Sequence, residues 1–259
     1  MTTVVKIGGN IVDNPMVLNE FAEKFALLPG RKILVHGGGV MASAMQKSLG
    51  MVPKMIEGRR VTDEETLKVV TMVYAGWCNK NITALLQAQG CNAIGLSGAD
   101  GNVIKAARRA PIQVGGELID YGFVGDVTPE GVNADFLKIL LDSGIVPILC
   151  AINHDGKGNL LNTNADTIAS SVASALGEDV ELVYCFEKAG VLRDKNDDSS
   201  VIPHISSEEF ESLKSEGIIA DGMIPKLENA FKAIRQGVSK VTIKHALDLL
   251  ESKGTVLEK

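Results

Sequence analysis

No run of lysine or arginine occurs anywhere in this chain, and acidic residues (32) outnumber basic ones (26). The phosphate-driven term that dominates nucleic-acid affinity therefore has no obvious source, and a nucleic-acid role is not expected. Long apolar runs are missing too. The longest stretches, such as 145–152, fall far short of the roughly 20 residues a membrane span needs. The four cysteines (Cys78, Cys91, Cys150, Cys185) show no CxxC spacing and lie in apolar or helical contexts, so neither disulfides nor a zinc site are expected. The N-terminal MTTVVKIGG has no charged region followed by a long apolar one, so no export signal is read and a cytoplasmic protein is expected. Internal repeats and low-complexity linkers are absent as well.

What remains is a chain of 259 residues, 45% apolar and 22% charged, long enough to bury a large core as one α/β domain or two packed lobes. Short β-branched runs alternate with longer amphipathic stretches. Thr3–Ile7, Lys32–Val35, Asn92–Leu96, Ile145–Cys150, Glu181–Cys185 and Lys240–Ile243 read as strands. Most are continuously apolar, the pattern of a mainly parallel sheet covered by helices on both faces. Helix starts are marked by Thr62 with Glu65, by Ser206 with Glu209, and by Asn133 ahead of 134–143. The segment 63–89 is long for one helix, and Gly76 is expected to kink or divide it; 155–159 reads as a glycine-rich hairpin turn. A boundary between lobes is placed at the Asn162–Asp166 motif, giving lobes 1–166 and 167–259.

Five segments carry chemistry. Lys6 sits inside an apolar first strand that runs into Gly8 and Gly9; it either snorkels to solvent or meets an anion. His36-Gly37-Gly38-Gly39 ends a strand and opens a helix, where backbone N–H groups and the helix dipole suit a phosphoryl group, although the spacing is not that of a dinucleotide fold. Arg59 and Arg60 precede a capped helix, either as solvated charges or as a bidentate grip on a carboxylate. Asn162-Thr163-Asn164-Ala165-Asp166 puts three Asn/Asp side chains at a loop-to-helix junction, more than one cap requires. Asp221-Gly222-Met223-Ile224-Pro225-Lys226 opens an amphipathic helix, and a cation in its first turn is easier to explain if it faces a bound anion. No nucleophile–base pair accompanies them, and the four histidines read as structural or exposed. Such an inventory suits phosphoryl transfer to an acceptor that is already ionised, because a carboxylate needs no general base.

In order and spacing these segments resemble N-acetylglutamate kinases, a branch of the amino-acid-kinase family, over nearly the whole chain. Lesser matches lie at 76–80 and 95–101. The lysine-glycine start and the DGM…K segment are shared across the wider family; Arg60-Val61-Thr62 and Asn162…Asp166 narrow it. The resemblance implies a three-layer αβα sandwich around an open, mainly parallel eight-stranded sheet, with the acyl-glutamate in lobe 1–166 and ATP in lobe 167–259. It implies that Lys6 and Lys226 flank the transferring phosphoryl group, that the amides of Gly8, Gly9, Gly38 and Gly39 hold its oxygens, and that Asp166 positions both lysines. Arg60 and Asn162 would grip the acyl-glutamate. Magnesium would travel with the nucleotide phosphates, in keeping with the lack of any acidic cluster, so no metal ligand is assigned.

Two departures stand out. Where the family has a Thr/Ser-Asp pair, this chain has Cys185-Phe186-Glu187-Lys188, leaving Glu187 as the expected nucleotide contact. Arg59 replaces an apolar residue, and reads either as a surface charge or as an inward partner for an acyl group with its own carboxylate, such as succinyl. The first strand begins within a few residues of Met1, which by the same resemblance leads us to expect a homodimer insensitive to arginine. A non-catalytic amino-acid sensor of the same fold is the alternative of another class, and the presence of Lys6, Lys226 and Asp166 argues against it. Relatives that act on aspartate, free glutamate, carbamate or a nucleotide offer other acceptors, against which Arg60 and Asn162 speak.

Overall fold

A computed structural model describes residues 1–177, 179–219 and 223–258. Eight strands form one sheet: β1 (Thr2–Ile7), β2 (Arg31–His36), β3 (Ala93–Leu96), β4 (Val146–Leu149), β5 (Val180–Phe186), β6 (His204–Ile205), β7 (Lys240–His245) and β8 (Thr255–Leu257). Their order is β6-β8-β7-β5-β1-β2-β4-β3. Every neighbouring pair is parallel except β7 with β8. The central strands owe their place to composition: Val4, Val5, Ile7, Ile33, Leu34, Val35, Leu182 and Tyr184 are all fully buried, as strands covered on both faces require.

Helices supply those covers: α1 (Gly9–Val12), α2 (Pro15–Leu27), α3 (Gly39–Ser48), α4 (Glu64–Thr71), α5 (Asn79–Ala88), α6 (Ala134–Asp142), α7 (Ala165–Leu176), α8 (Ser207–Ser215) and α9 (Ile224–Arg235). Ser206 and Glu209 make a reciprocal capping box at α8, and Asn133 caps α6 through the Phe136 amide, both as expected. At α4 the cap is Asp63, which accepts from the Thr66 amide. Thr62, expected in that role, lies one residue upstream, fully buried, with its hydroxyl donating to the Arg60 carbonyl. The long 63–89 segment is divided, but not by a break at Gly76: α4 and α5 are joined by a π-helical segment, Met72–Cys78, that carries Gly76 within it. Such wide turns recur at functional sites. The hairpin expected at 155–159 joins Ile152–His154 to Leu160–Asn162. Among the described residues no helix is long and apolar enough to cross a membrane.

Candidate active site

The carboxyl ends of β1, β2 and β5 converge at the middle of the sheet, where parallel α/β folds bind ligands. Lys6 is paired in register with Val35 on one side and Tyr184 on the other. Alternation therefore aims Lys6 and Tyr184 at the same face, the one α7 covers. The first turn of α7 presents Asp166, whose Oδ1 lies 2.7 Å from Lys6 Nζ. The pair sits off the hydrogen-bonding angle, so that oxygen has no aligned donor among the described residues. Tyr184 donates its hydroxyl to the Asp166 carbonyl at 3.1 Å, pinning the start of α7 to β5. Burial, with the Asp166 charge second, drives the Tyr184 phenol well above its usual range, so it stays a neutral donor.

Lys226, in the first turn of α9, comes to the same place. Phe186, the last residue of β5, holds its ring 4.0 Å from Lys226 Nζ and 5.4 Å from Lys6 Nζ, and stacks on Tyr184 at 6.2 Å. One aromatic ring thus lies within cation–π range of both ammonium groups. Burial lowers the Lys226 pKa; Asp166 opposes that shift and Lys6 adds to it. Two partly desolvated ammoniums held near one carboxylate form a cationic site that gains from a polyanion.

The second wall is α3. His36, fully buried, donates from Nδ1 to the Gly37 carbonyl at 2.8 Å and accepts at Nε2 from Asn79 at 3.0 Å. Burial takes its pKa down to about 4, so the ring is neutral and structural, as its sequence context suggested. Gly38 is required for space: a Cβ there would stand 2.9 Å from Tyr74 and 3.0 Å from Cys78 Sγ, both on the π-helical segment. Arg60 is buried and oriented by three acceptors on α3, namely Gln46 Oε1, Ser43 Oγ at 2.7 Å and the Gly39 carbonyl at 2.9 Å. Asn162 donates to Thr62 Oγ1 at 3.0 Å, tying the Arg60 loop to the strand before α7.

Three cavities run along this cleft. The first, about 210 Å³, is lined by residues between Gly37 and Ala165, among them Gly38, Gly39, Arg59, Arg60, Tyr74, Arg109 and Asn162. The second, about 540 Å³, is lined by Lys6, Gly8, Gly9, Gly39, Arg60, Phe186, Glu187 and Lys226, with others. Gly39, Met55 and Arg60 belong to both, so the two cavities meet there. The third, about 610 Å³, continues from the second through Lys188, Gly190 and Met223 and is lined by residues 188–223. Among the described residues no three His, Cys, Asp or Glu side chains are grouped to hold a metal ion.

A model of the amino acid kinase family matches residues 1–245. The chain belongs to the amino acid kinase family. Within that family it is 56% identical to the acetylglutamate kinase of Phocaeicola vulgatus, the match covering 99% of this chain and 98% of that one. It is 54% identical to the acetylglutamate kinase of Bacteroides thetaiotaomicron with the same coverage. Among solved structures, N-acetylglutamate synthase from Neisseria gonorrhoeae, complexed with coenzyme A and N-acetyl-glutamate, matches with a TM-score of 0.82 at 25% identity. All of this chain is covered, and it spans 59% of that longer one.

Placed against this family frame, the sequence expectations fall together at one cleft: Lys6, Gly8, Gly9, Gly38, Gly39, Arg60, Asn162, Asp166 and Lys226 all line it or contact its lining residues. Glu187 is exposed at the mouth of the second cavity. Asp221 and Gly222 lie outside the described residues. Arg59 is exposed at the rim. Sequence reasoning missed Phe186, Gln46, Ser43, Tyr74, Arg109 and Asp13. Asp13 lies beneath the start of α3 with both carboxylate oxygens buried and, among the described residues, without an aligned partner. Burial raises its pKa while the Met41 amide opposes the rise.

Proposed function

We propose that this chain is an ATP-dependent kinase that phosphorylates the side-chain carboxylate of N-acetyl-L-glutamate, giving the acyl phosphate used in arginine biosynthesis. The observation that carries this reading is the meeting of an arginine-lined cavity with a lysine-lined one at Gly39 and Arg60. The names of the relatives, acetylglutamate kinase at 56% and 54% identity over the whole chain, support the acceptor.

In this reading the acyl-glutamate occupies the first cavity. Arg60, held rigid by Gln46 and Ser43, takes the α-carboxylate, and Asn162 takes a neighbouring polar atom. The side-chain carboxylate then points past Gly39 toward the lysines. It is ionised at neutral pH, so no base is needed. ATP spans the second and third cavities, its γ-phosphoryl group between Lys6 and Lys226 and its adenosine toward Val191–Ile219. The amides of Gly8, Gly9, Gly38 and Gly39 donate to the oxygens in flight, where preorganised donors and cations lower the barrier most. Asp166 pairs with Lys6 and opposes the burial that lowers the Lys226 pKa. Magnesium would be carried by the nucleotide phosphates and water and would supply neutralisation of part of the phosphate charge; Glu187, which lines the second cavity, is the expected nucleotide contact.

The same division makes 1–166 the acyl-glutamate lobe and 167–259 the ATP lobe, supported by the first cavity ending at Ala165 and the third beginning at Lys188. Pairing as a homodimer through the first lobe is supported by the exposed Met72 and Trp77 of the π-helical segment. Dependence on ATP suits a cytoplasmic site of action. An ADP-release assay with N-acetylglutamate and free glutamate side by side tests the reading. Turnover should require the acyl group, and equal or greater turnover of free glutamate would overturn it.

A further inference from the structure

Arg109 lines the first cavity without having been assigned a task there. It follows the short strand Ala107–Arg108, which pairs with Gly125–Asp126, and its amide donates to the Val124 carbonyl at 2.8 Å. Its guanidinium is fixed on two sides. Nε lies 3.0 Å from Asp126 Oδ2, Nη2 also bonds Asp126, and the plane sits 5.6 Å from the ring of fully buried Tyr121. The third corner differs: Nη1 is buried and has no hydrogen-bond partner among the described residues. A buried guanidinium nitrogen without an acceptor is costly, and among the described residues no protein acceptor meets its two N–H groups, while the side chain lines the cavity. Arg60, across the same cavity, is by contrast already held by Gln46, Ser43 and Gly39. Arg59, the other arginine of this loop, is exposed and turned to the rim.

We propose that Arg109 is a specificity-determining residue whose Nη1 receives a carboxylate at the end of the substrate's N-acyl group, so that the chain prefers a short dicarboxylic acyl-glutamate such as N-succinylglutamate over N-acetylglutamate. The inference rests on the acyl-glutamate kinase reading and refines its acyl group. With the α-carboxylate on Arg60 and the reacting carboxylate at the lysines, the third carboxylate of such a substrate needs its own cation in the first cavity. Asp126 uses the Nε and Nη2 edge and is about half exposed, so its repulsion of the incoming carboxylate is screened by water. An acetyl group ends in a methyl and carries no second carboxylate for Nη1. The guanidinium is held in place before the ligand arrives, so little ordering cost is left to binding.

The test compares kcat/KM of the full chain for N-acetylglutamate, N-succinylglutamate and the uncharged succinamoyl analogue, in wild type, Arg109→Met and Arg109→Lys. Wild type should favour the succinyl substrate over both others by about 10- to 100-fold, the range of a charge-assisted hydrogen bond. The preference should fall to a few-fold in Arg109→Met and recover in part in Arg109→Lys, with the KM for ATP unchanged throughout. A wild type that treats the succinyl and succinamoyl substrates alike, or favours acetyl, overturns the inference even if the variants fail to fold. So does a succinyl preference that survives Arg109→Met. Each of those outcomes leaves the kinase reading standing; absence of ADP release with every acyl-glutamate would remove that reading itself.

Discussion

Replacing Asp166 with asparagine removes the carboxylate that pairs with Lys6 and acts on Lys226, while keeping its shape. Lys6 is 6% exposed, and its ammonium loses an anion 2.7 Å away. Breaking a buried ion pair by deleting one partner costs about 3–5 kcal/mol. Because this pair opens on one side to the second cavity, the lower end, about 3 kcal/mol, is expected. Lys226 changes as well. Asp166 is the largest influence raising its pKa against burial, so in Asp166→Asn that pKa falls further. If protonated Lys226 is needed for turnover, the alkaline limb of the kcat profile should move to lower pH. Loss of the fixed charge array should lower kcat by roughly 10²–10³-fold, the scale for one preorganised electrostatic group. The assays are urea denaturation without ligand and ADP release from pH 6 to 10. A variant with kcat within a few-fold of wild type and an unshifted alkaline limb would refute the assignment of Asp166 to the lysines.

Arg60→Lys should raise the KM for acyl-glutamate far more than that for ATP, since a lysine cannot reproduce a bidentate grip; the reverse pattern in initial-rate kinetics would place Arg60 at the nucleotide. Gly38→Ala forces a methyl to within 3.0 Å of Tyr74 and Cys78. It should cost about 1–3 kcal/mol of stability in denaturant titration, and full activity with unchanged stability would contradict the packing described. His36, buried neutral with a pKa of about 4, binds a proton more readily in the unfolded chain between about pH 6.5 and 4. Stability present above that window is therefore lost as pH falls through it, by roughly 2 kcal/mol between pH 7 and 5. In His36→Gln that slope should flatten, and an unchanged slope would place the acid sensitivity elsewhere.

Much of the fold was legible because its strands are continuous apolar runs. Thr3–Ile7 was read one residue short of the observed Thr2–Ile7, and the six strands read from sequence all entered the central sheet. The strands His204–Ile205 and Thr255–Leu257 were not read, since two or three residues carry no period. Thr62 and Asp63 both offer an oxygen three residues ahead of a helical amide. Only packing decides between them, and it gives the cap to Asp63 and Thr62 to Asn162. Within the site, Lys6 and Lys226 stood out because a cation in an apolar strand or at a helix start is locally unfavourable. Arg109 gave no such signal: its partner Asp126 is 17 residues away, and two-residue strands bring them together. Phe186 was visible only as one letter in an atypical segment, and its task depends on two lysines 220 residues apart meeting over its ring.

The central claim is that the cleft transfers a phosphoryl group to a carboxylate, and the product tests it most directly. An acyl phosphate reacts with hydroxylamine to give a hydroxamate, whereas a phosphate ester does not. With ATP, magnesium, an acyl-glutamate and hydroxylamine, the chain should form hydroxamate in step with ADP. ADP release without hydroxamate, or hydroxamate from free glutamate but not from its acylated forms, would contradict the account.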